Sequence, residues 1–77
     1  MDLRQVFATN LRRIRHQREI SQENLAYEAE INRTYLSKLE KGASSAGLDI
    51  IERLAAVLRI EAYQLLLPRH KQRRKRP

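Results

Sequence analysis

The 77-residue chain contains no cysteine. No disulfide can staple it and no thiolate can hold a metal. Histidine is nearly as scarce. His16 and His70 stand far apart and have no further ligand types arranged around them, so no metal site is expected. Long apolar runs are missing too. No stretch approaches the ~20 residues needed to span a bilayer, and the N-terminus lacks the apolar core of a signal peptide. No membrane association is expected. A soluble chain, cytoplasmic or bound to a bacterial or phage nucleoid, is the expectation that follows. Catalytic groupings are also absent. The sequence offers no Ser/His/Asp set, no paired carboxylates in a buried setting and no glycine loop for phosphate. Neither an enzyme, nor a cofactor, nor a small-molecule ligand is expected.

What the chain does have is arginine and lysine. The net charge is +7, but it is unevenly placed. Residues 1–68 carry ten basic and nine acidic side chains, whereas residues 69–77 carry six basic and none acidic. High pI therefore mostly reports the tail and says little about the rest. The expected organisation is one small domain over residues 1–68 and a basic tail over 69–77. The tail has no apolar periodicity and is expected to be disordered in isolation. It either binds phosphates, enters a minor groove, or does nothing specific.

Helical punctuation divides the first 68 residues. Asp2 is placed to cap a first helix running to about Gln17, with Gln5 as the other half of a capping box. Leu3, Phe7, Leu11 and Ile14 form its apolar stripe, widened by Val6. Ile20 precedes Ser21, a second N-cap, and can staple against Leu25. Leu25, Ala26 and Ala29 mark one face of this second helix. Tyr27 either packs over the core edge or offers its hydroxyl to a phosphate. Asn32 caps a third helix beginning at Arg33, and Gly42 ends it. Leu36 and Leu39 face inward. Leu48–Leu58 reads as a fourth helix, buried through Ile51, Leu54, Ala55 and Leu58, with Leu48 beneath. A fifth spans about Glu61 to Leu67 and is halted by Pro68. Leu65 and Leu66 should complete the core. The fold class is all-α, a compact five-helix bundle.

The outward side of the third helix carries Arg33, Thr34, Ser37 and Lys38. Arg and Lys can reach guanine acceptors, and Thr and Ser can donate, accept or touch a thymine methyl. An ordinary solvated helix face would have the same composition. The surrounding pattern separates the two readings. Ser21-Gln22, Leu25-Ala26, Ala29, Ile31-Asn32, Leu36, Leu39 and Glu40-Lys41-Gly42 fall in order around a helix-turn-helix. Ile14, Arg15 and Arg18 extend the pattern upstream, and Leu54-Ala55 and Leu65-Leu66 extend it downstream. Over about residues 4–67 the chain resembles the phage-repressor (XRE) family of DNA-binding domains, whose fold is lambda-repressor-like. Two positions depart from the family pattern. Glu30 stands where the turn often has glycine, at a cost of up to ~1 kcal/mol if φ is positive. Ala46-Gly47 replaces the usual proline-containing entry to the next helix.

The resemblance implies double-stranded DNA as partner, with a homodimer regulating transcription. It implies base contacts by Arg33, Thr34, Ser37 and Lys38, and phosphate contacts by Gln22, Asn32, Lys41, Ser44, Ser45 and Arg18. It implies an ion pair of Arg15 with Glu40 that orients the third helix. It implies a two-fold interface near the last helix, for which Ile60, Tyr63 and Leu67 are the candidates. Strings such as Leu25-Ala26-Tyr27-Glu28-Ala29 resemble the controllers of restriction-modification genes, and similar strings occur in general bacterial regulators. One alternative of another class stays open: the same fold used chiefly to hold a protein partner, as in antitoxins or coactivators, with DNA contact secondary.

Overall fold

The computed structural model describes residues 2–68. They form α1 (Leu3–Gln17), α2 (Gln22–Ala29), α3 (Arg33–Glu40) and α4 (Leu48–Leu58), followed by a single 3-10 turn at Ala62–Leu65. No strand occurs among the described residues. Met1 and the basic tail lie outside them.

The expected fifth helix is therefore corrected to one 3-10 turn. Seven residues between Ile60 and Pro68 are too few to repay helix nucleation. The turn is instead fastened by a capping box, in which the Glu61 N–H donates to Gln64 Oε1 at 2.9 Å. Leu65 is fully buried, Leu66 is half-buried and Leu67 is exposed.

The core is one cluster. Phe7, Leu11 and Ile14 of α1 meet Leu25, Ala26 and Ala29 of α2, Leu36 and Leu39 of α3, and Ile51, Leu54, Ala55 and Leu58 of α4. Each buried leucine contributes on the order of 1.5–3 kcal/mol of transfer free energy. Two large apolar residues expected in the core, Leu3 and Leu48, fall outside this cluster, and so does Tyr27. Leu3 is 54% exposed because α1 overhangs the core by its first turn. Leu48 is 79% exposed, since the first residue of α4 precedes the face that α4 buries. Tyr27 is 82% exposed and does not pack.

All four α-helices stop in the same way. A residue in the left-handed region follows each helix: Glu19 (φ 58), Glu30 (φ 60), Gly42 (φ 74) and Arg59 (φ 61). The next N–H then reaches back five residues. Ile20 donates to Arg15 O, Ile31 to Ala26 O, Ala43 to Lys38 O and Ile60 to Ala55 O, at 2.9–3.2 Å. These are Schellman caps, which an apolar residue just past the turn frequently accompanies. Ile20, Ile31 and Ile60 supply it and pack against the core. Only one of the four turns uses glycine. The other three each carry a backbone penalty of about 1 kcal/mol.

Gly42 is also a point of close approach. A Cβ there would lie 2.2 Å from Gln5 Nε2. Gln5 thus lies over Gly42, and the Asp2 cap is a single bond from the Arg4 N–H at 3.0 Å. Asn10 makes another long-range tie. Buried to 1% exposure, it donates through Nδ2 to Leu65 O (2.9 Å) and Leu67 O (2.8 Å). It satisfies two carbonyls that the short 3-10 turn leaves over.

Candidate nucleic-acid interface

α2, the Glu30 turn and α3 form the helix-turn-helix unit. Asn32 opens α3 with its Oδ1 accepting from the N–H groups of Thr34 (2.7 Å) and Tyr35 (3.4 Å). Its Nδ2 group remains uncommitted. Leu36 and Leu39 are fully buried, so the opposite side of α3 must face outward. Arg33, Thr34 and Lys38 are exposed there, and Ser37 is half-buried. Arg33, Thr34 and Ser37 line one cleft of about 220 Å³ together with Gln22 from the first turn of α2. Lys38 lies farther along α3 and is not among the cleft's residues.

A buried network behind α3 fixes its position. Arg15 Nε donates to Glu40 Oε2 at 2.6 Å and Nη2 to Oε1 at 3.0 Å. The side chains are 10% and 3% exposed. A bidentate guanidinium–carboxylate fork sets orientation as well as distance. Arg15 Nη1 also donates to the Ile20 carbonyl at 2.8 Å, which joins the end of α1 to the same network. Gln22 Nε2 donates to Glu40 Oε1 at 3.1 Å. That bond fixes which way the Gln22 amide points, because a carboxylate only accepts. The second N–H of the same nitrogen remains as a donor. Arg12 Nη1 donates to the Glu40 main-chain carbonyl. The last residue of α3 is therefore held by Arg15, Gln22 and Arg12 together.

The loop after α3 is tied as well. Tyr35 Oη donates to the Ser45 carbonyl at 3.0 Å. Lys41 and Ser45 are exposed and Ser44 is half-buried. Arg18 falls elsewhere. Its Nε donates to Leu58 O at 2.8 Å, and it lines a separate cleft of about 340 Å³ with Ile60, Gln64 and Leu67. Arg18 is exposed but lies apart from the α3 cleft, beside the apolar residues of the C-terminal turn. Of those, Tyr63 is 61% and Leu67 51% exposed, and Ile60 is half-buried.

Sequence reasoning overlooked Arg12, Tyr35 and Asn10. Arg12 carried a usable signal, as it lies one turn from Arg15 on the same helix. Asn10 carried none, because its partners are backbone carbonyls in a turn that was expected to be helical. Among the described residues, no helix is long and apolar enough to cross a membrane. None of them group as three or more His, Cys, Asp or Glu able to hold a metal ion.

An all-helical chain with a capped helix-turn-helix and an outward polar α3 defines a class, and comparison with known proteins agrees. The model of a helix-turn-helix domain matches residues 6–65. A relative from Neisseria meningitidis serogroup B, named a hypothetical transcription factor, is 46% identical over 67 residues. That match covers 87% of this chain but 63% of the relative, so the chain spans under two thirds of its length. The crystal structure of a hypothetical transcription factor from Neisseria superposes with a TM-score of 0.83, covering 87% of this chain and 77% of that one, at 46% identity. The control protein C.BamHI of Bacillus amyloliquefaciens is 36% identical over 66 residues, 84% of this chain and 82% of its own length. The restriction-modification controller protein C.AhdI from Aeromonas hydrophila is 34% identical with a TM-score of 0.78, covering 80% of this chain and 94% of that one. The chain belongs to the helix-turn-helix family and is of the XRE type.

Proposed function

We propose that the chain binds double-stranded DNA sequence-specifically as a homodimer and regulates transcription from the cytoplasm or nucleoid. The observation that carries this reading is the shared cleft of Gln22, Arg33, Thr34 and Ser37 at the N-terminal ends of α2 and α3. A helix presented by its first turns is the geometry that enters a major groove. Arg33, in the first turn, reads a guanine through a bidentate contact. Thr34 and Ser37 read neighbouring base edges, and Lys38 takes a second guanine or a phosphate. Gln22, Asn32, Lys41, Ser44 and Ser45 hold phosphates and set register. Gln22 is suited to this because one N–H is anchored on Glu40 and the other is left for an acceptor.

One short helix reads few base pairs, and a two-fold axis doubles the site. Ile60, Tyr63 and Leu67 offer the apolar surface for it, on the C-terminal turn. The two copies of α3 would then lie about one helical turn of DNA apart, ~34 Å. C.BamHI and C.AhdI are named controllers, which makes control of restriction-modification genes the subtype this reading favours.

The test compares Arg33→Ala and Gln22→Ala on an operator selected from random duplexes and on its single-base-pair variants. Arg33→Ala should cost ~1–3 kcal/mol of binding and relax preference at one base pair per half-site. Gln22→Ala should weaken all sequences about equally. If Arg33→Ala keeps wild-type discrimination at every position, α3 is not the reader.

A further inference from the structure

Arg4 stands in the first turn of α1 with its side chain exposed and in no ion pair among the described residues. It lines a mainly apolar cleft of about 220 Å³ together with Leu3, Phe7, Leu48 and the two serines Ser44 and Ser45. One close approach brings this end of α1 to the loop that follows α3, and one bond fastens that loop to α3. Gln5 lies over Gly42, so closely that a Cβ there would meet its Nε2 at 2.2 Å. Tyr35, on α3 itself, donates to the Ser45 carbonyl at 3.0 Å. The cleft is thus continuous with α3 through a fastened loop.

We infer that Arg4, with Ser44 and Ser45, grips the sugar–phosphate backbone flanking the groove that α3 enters. This rests on the DNA-binding reading above. The polar part of its lining is one guanidinium and two hydroxyls, a set that suits a phosphate oxygen. Two leucines of the lining are largely exposed, Leu3 at 54% and Leu48 at 79%, and a deoxyribose can pack against them. The backbone of duplex DNA alternates these two chemistries. Gln22 would hold it on one side of α3, and Arg4 with the serines on the other. Arg4 is then a positioning contact that carries no sequence information.

The experiment uses the full chain with Arg4→Gln and Arg4→Lys. Affinity is measured against salt concentration on the selected operator and on a scrambled duplex, and sedimentation is run in parallel. Arg4→Gln should lower the slope of log affinity against log salt by about 0.9, the value of one phosphate contact. It should weaken both duplexes by the same factor. Arg4→Lys should keep the wild-type slope. An unchanged slope in Arg4→Gln, with Arg33→Ala still losing discrimination, overturns this inference and leaves the DNA-binding reading standing. Wild type that binds neither duplex overturns both. A change in dimer population caused by Arg4→Gln would assign the cleft to contact between copies and would overturn the inference as well.

Discussion

Arg15→Ala probes the network that holds α3. In the native protein the Glu40 carboxylate receives two N–H groups from Arg15, at 2.6 and 3.0 Å, and one from Gln22 at 3.1 Å. Glu40 is 2% exposed, so water cannot replace what is removed. The variant leaves a buried negative charge with a single side-chain donor and orphans the Ile20 carbonyl. Breaking a buried pair from one side costs about 3–5 kcal/mol. A domain of this length has a total stability of roughly 4–12 kcal/mol. The loss is therefore a large share of the whole. With a urea m-value of about 1–2 kcal/mol/M, the midpoint should fall by at least ~1.5 M. A companion variant separates charge from packing. Arg15→Met combined with Glu40→Leu replaces the pair by apolar groups and should recover most of the midpoint. A loss below ~1 kcal/mol in Arg15→Ala, the behaviour of an exposed pair, would refute the reasoning.

Glu30→Gly should relieve the left-handed turn between α2 and α3, where φ is 60. Stability should rise by up to about 1 kcal/mol, read as a Tm increase of several degrees in calorimetry; a lower Tm would mean the side chain contributes more than the strain costs. Tyr63→Asp, at the 61% exposed apolar position of the C-terminal turn, should give a folded monomer with weak operator binding. Sedimentation showing wild type monomeric at tens of micromolar would count decisively against that interface. Deleting residues 69–77 removes six positive charges and should flatten the salt dependence of DNA affinity without changing the preferred site. A truncated chain with the wild-type slope would show that the tail does not engage DNA.

Local rules made much of this structure legible. Ser21, Asn32 and Gly42 announced helix ends through cap chemistry that depends only on neighbours in sequence. The i, i+4 spacing of Phe7, Leu11 and Ile14, and of Ile51, Leu54, Ala55 and Leu58, located the core face of α1 and α4. Failures came where geometry depends on distant residues. Periodicity gave Leu3 the same standing as Phe7, yet whether α1 overhangs the core depends on where α3 and α4 end. Glu19 and Arg59 adopt left-handed turns without the glycine that signals one; the isoleucine following each was the better signal. The C-terminal turn was misread as helix because seven apolar-rich residues satisfy a helical pattern without being long enough to pay for nucleation. Of the site, the outward residues of α3 could be read from their spacing. The bonds of Gln22 and Arg12 to Glu40 could not, since they join three helices.

The positions that secure α3 and the positions that face outward are almost disjoint. Asn32, Tyr35, Leu36, Leu39 and Glu40 cap, pack or tether the helix through their side chains, while the side chains of Arg33, Thr34, Ser37 and Lys38 take no part in those bonds. Substitution at the second set leaves the first intact. These four side chains can therefore be exchanged without disturbing the bonds that hold the fold, and under the proposed reading the target can change while the scaffold stays. The same separation makes the protein a practical starting point for redesign: a library confined to four codons would vary the outward surface of α3 while every variant inherits the same anchorage. Gln22 is the exception, because its amide serves the anchorage and the outward cleft at once, and it is the position such a library should leave alone.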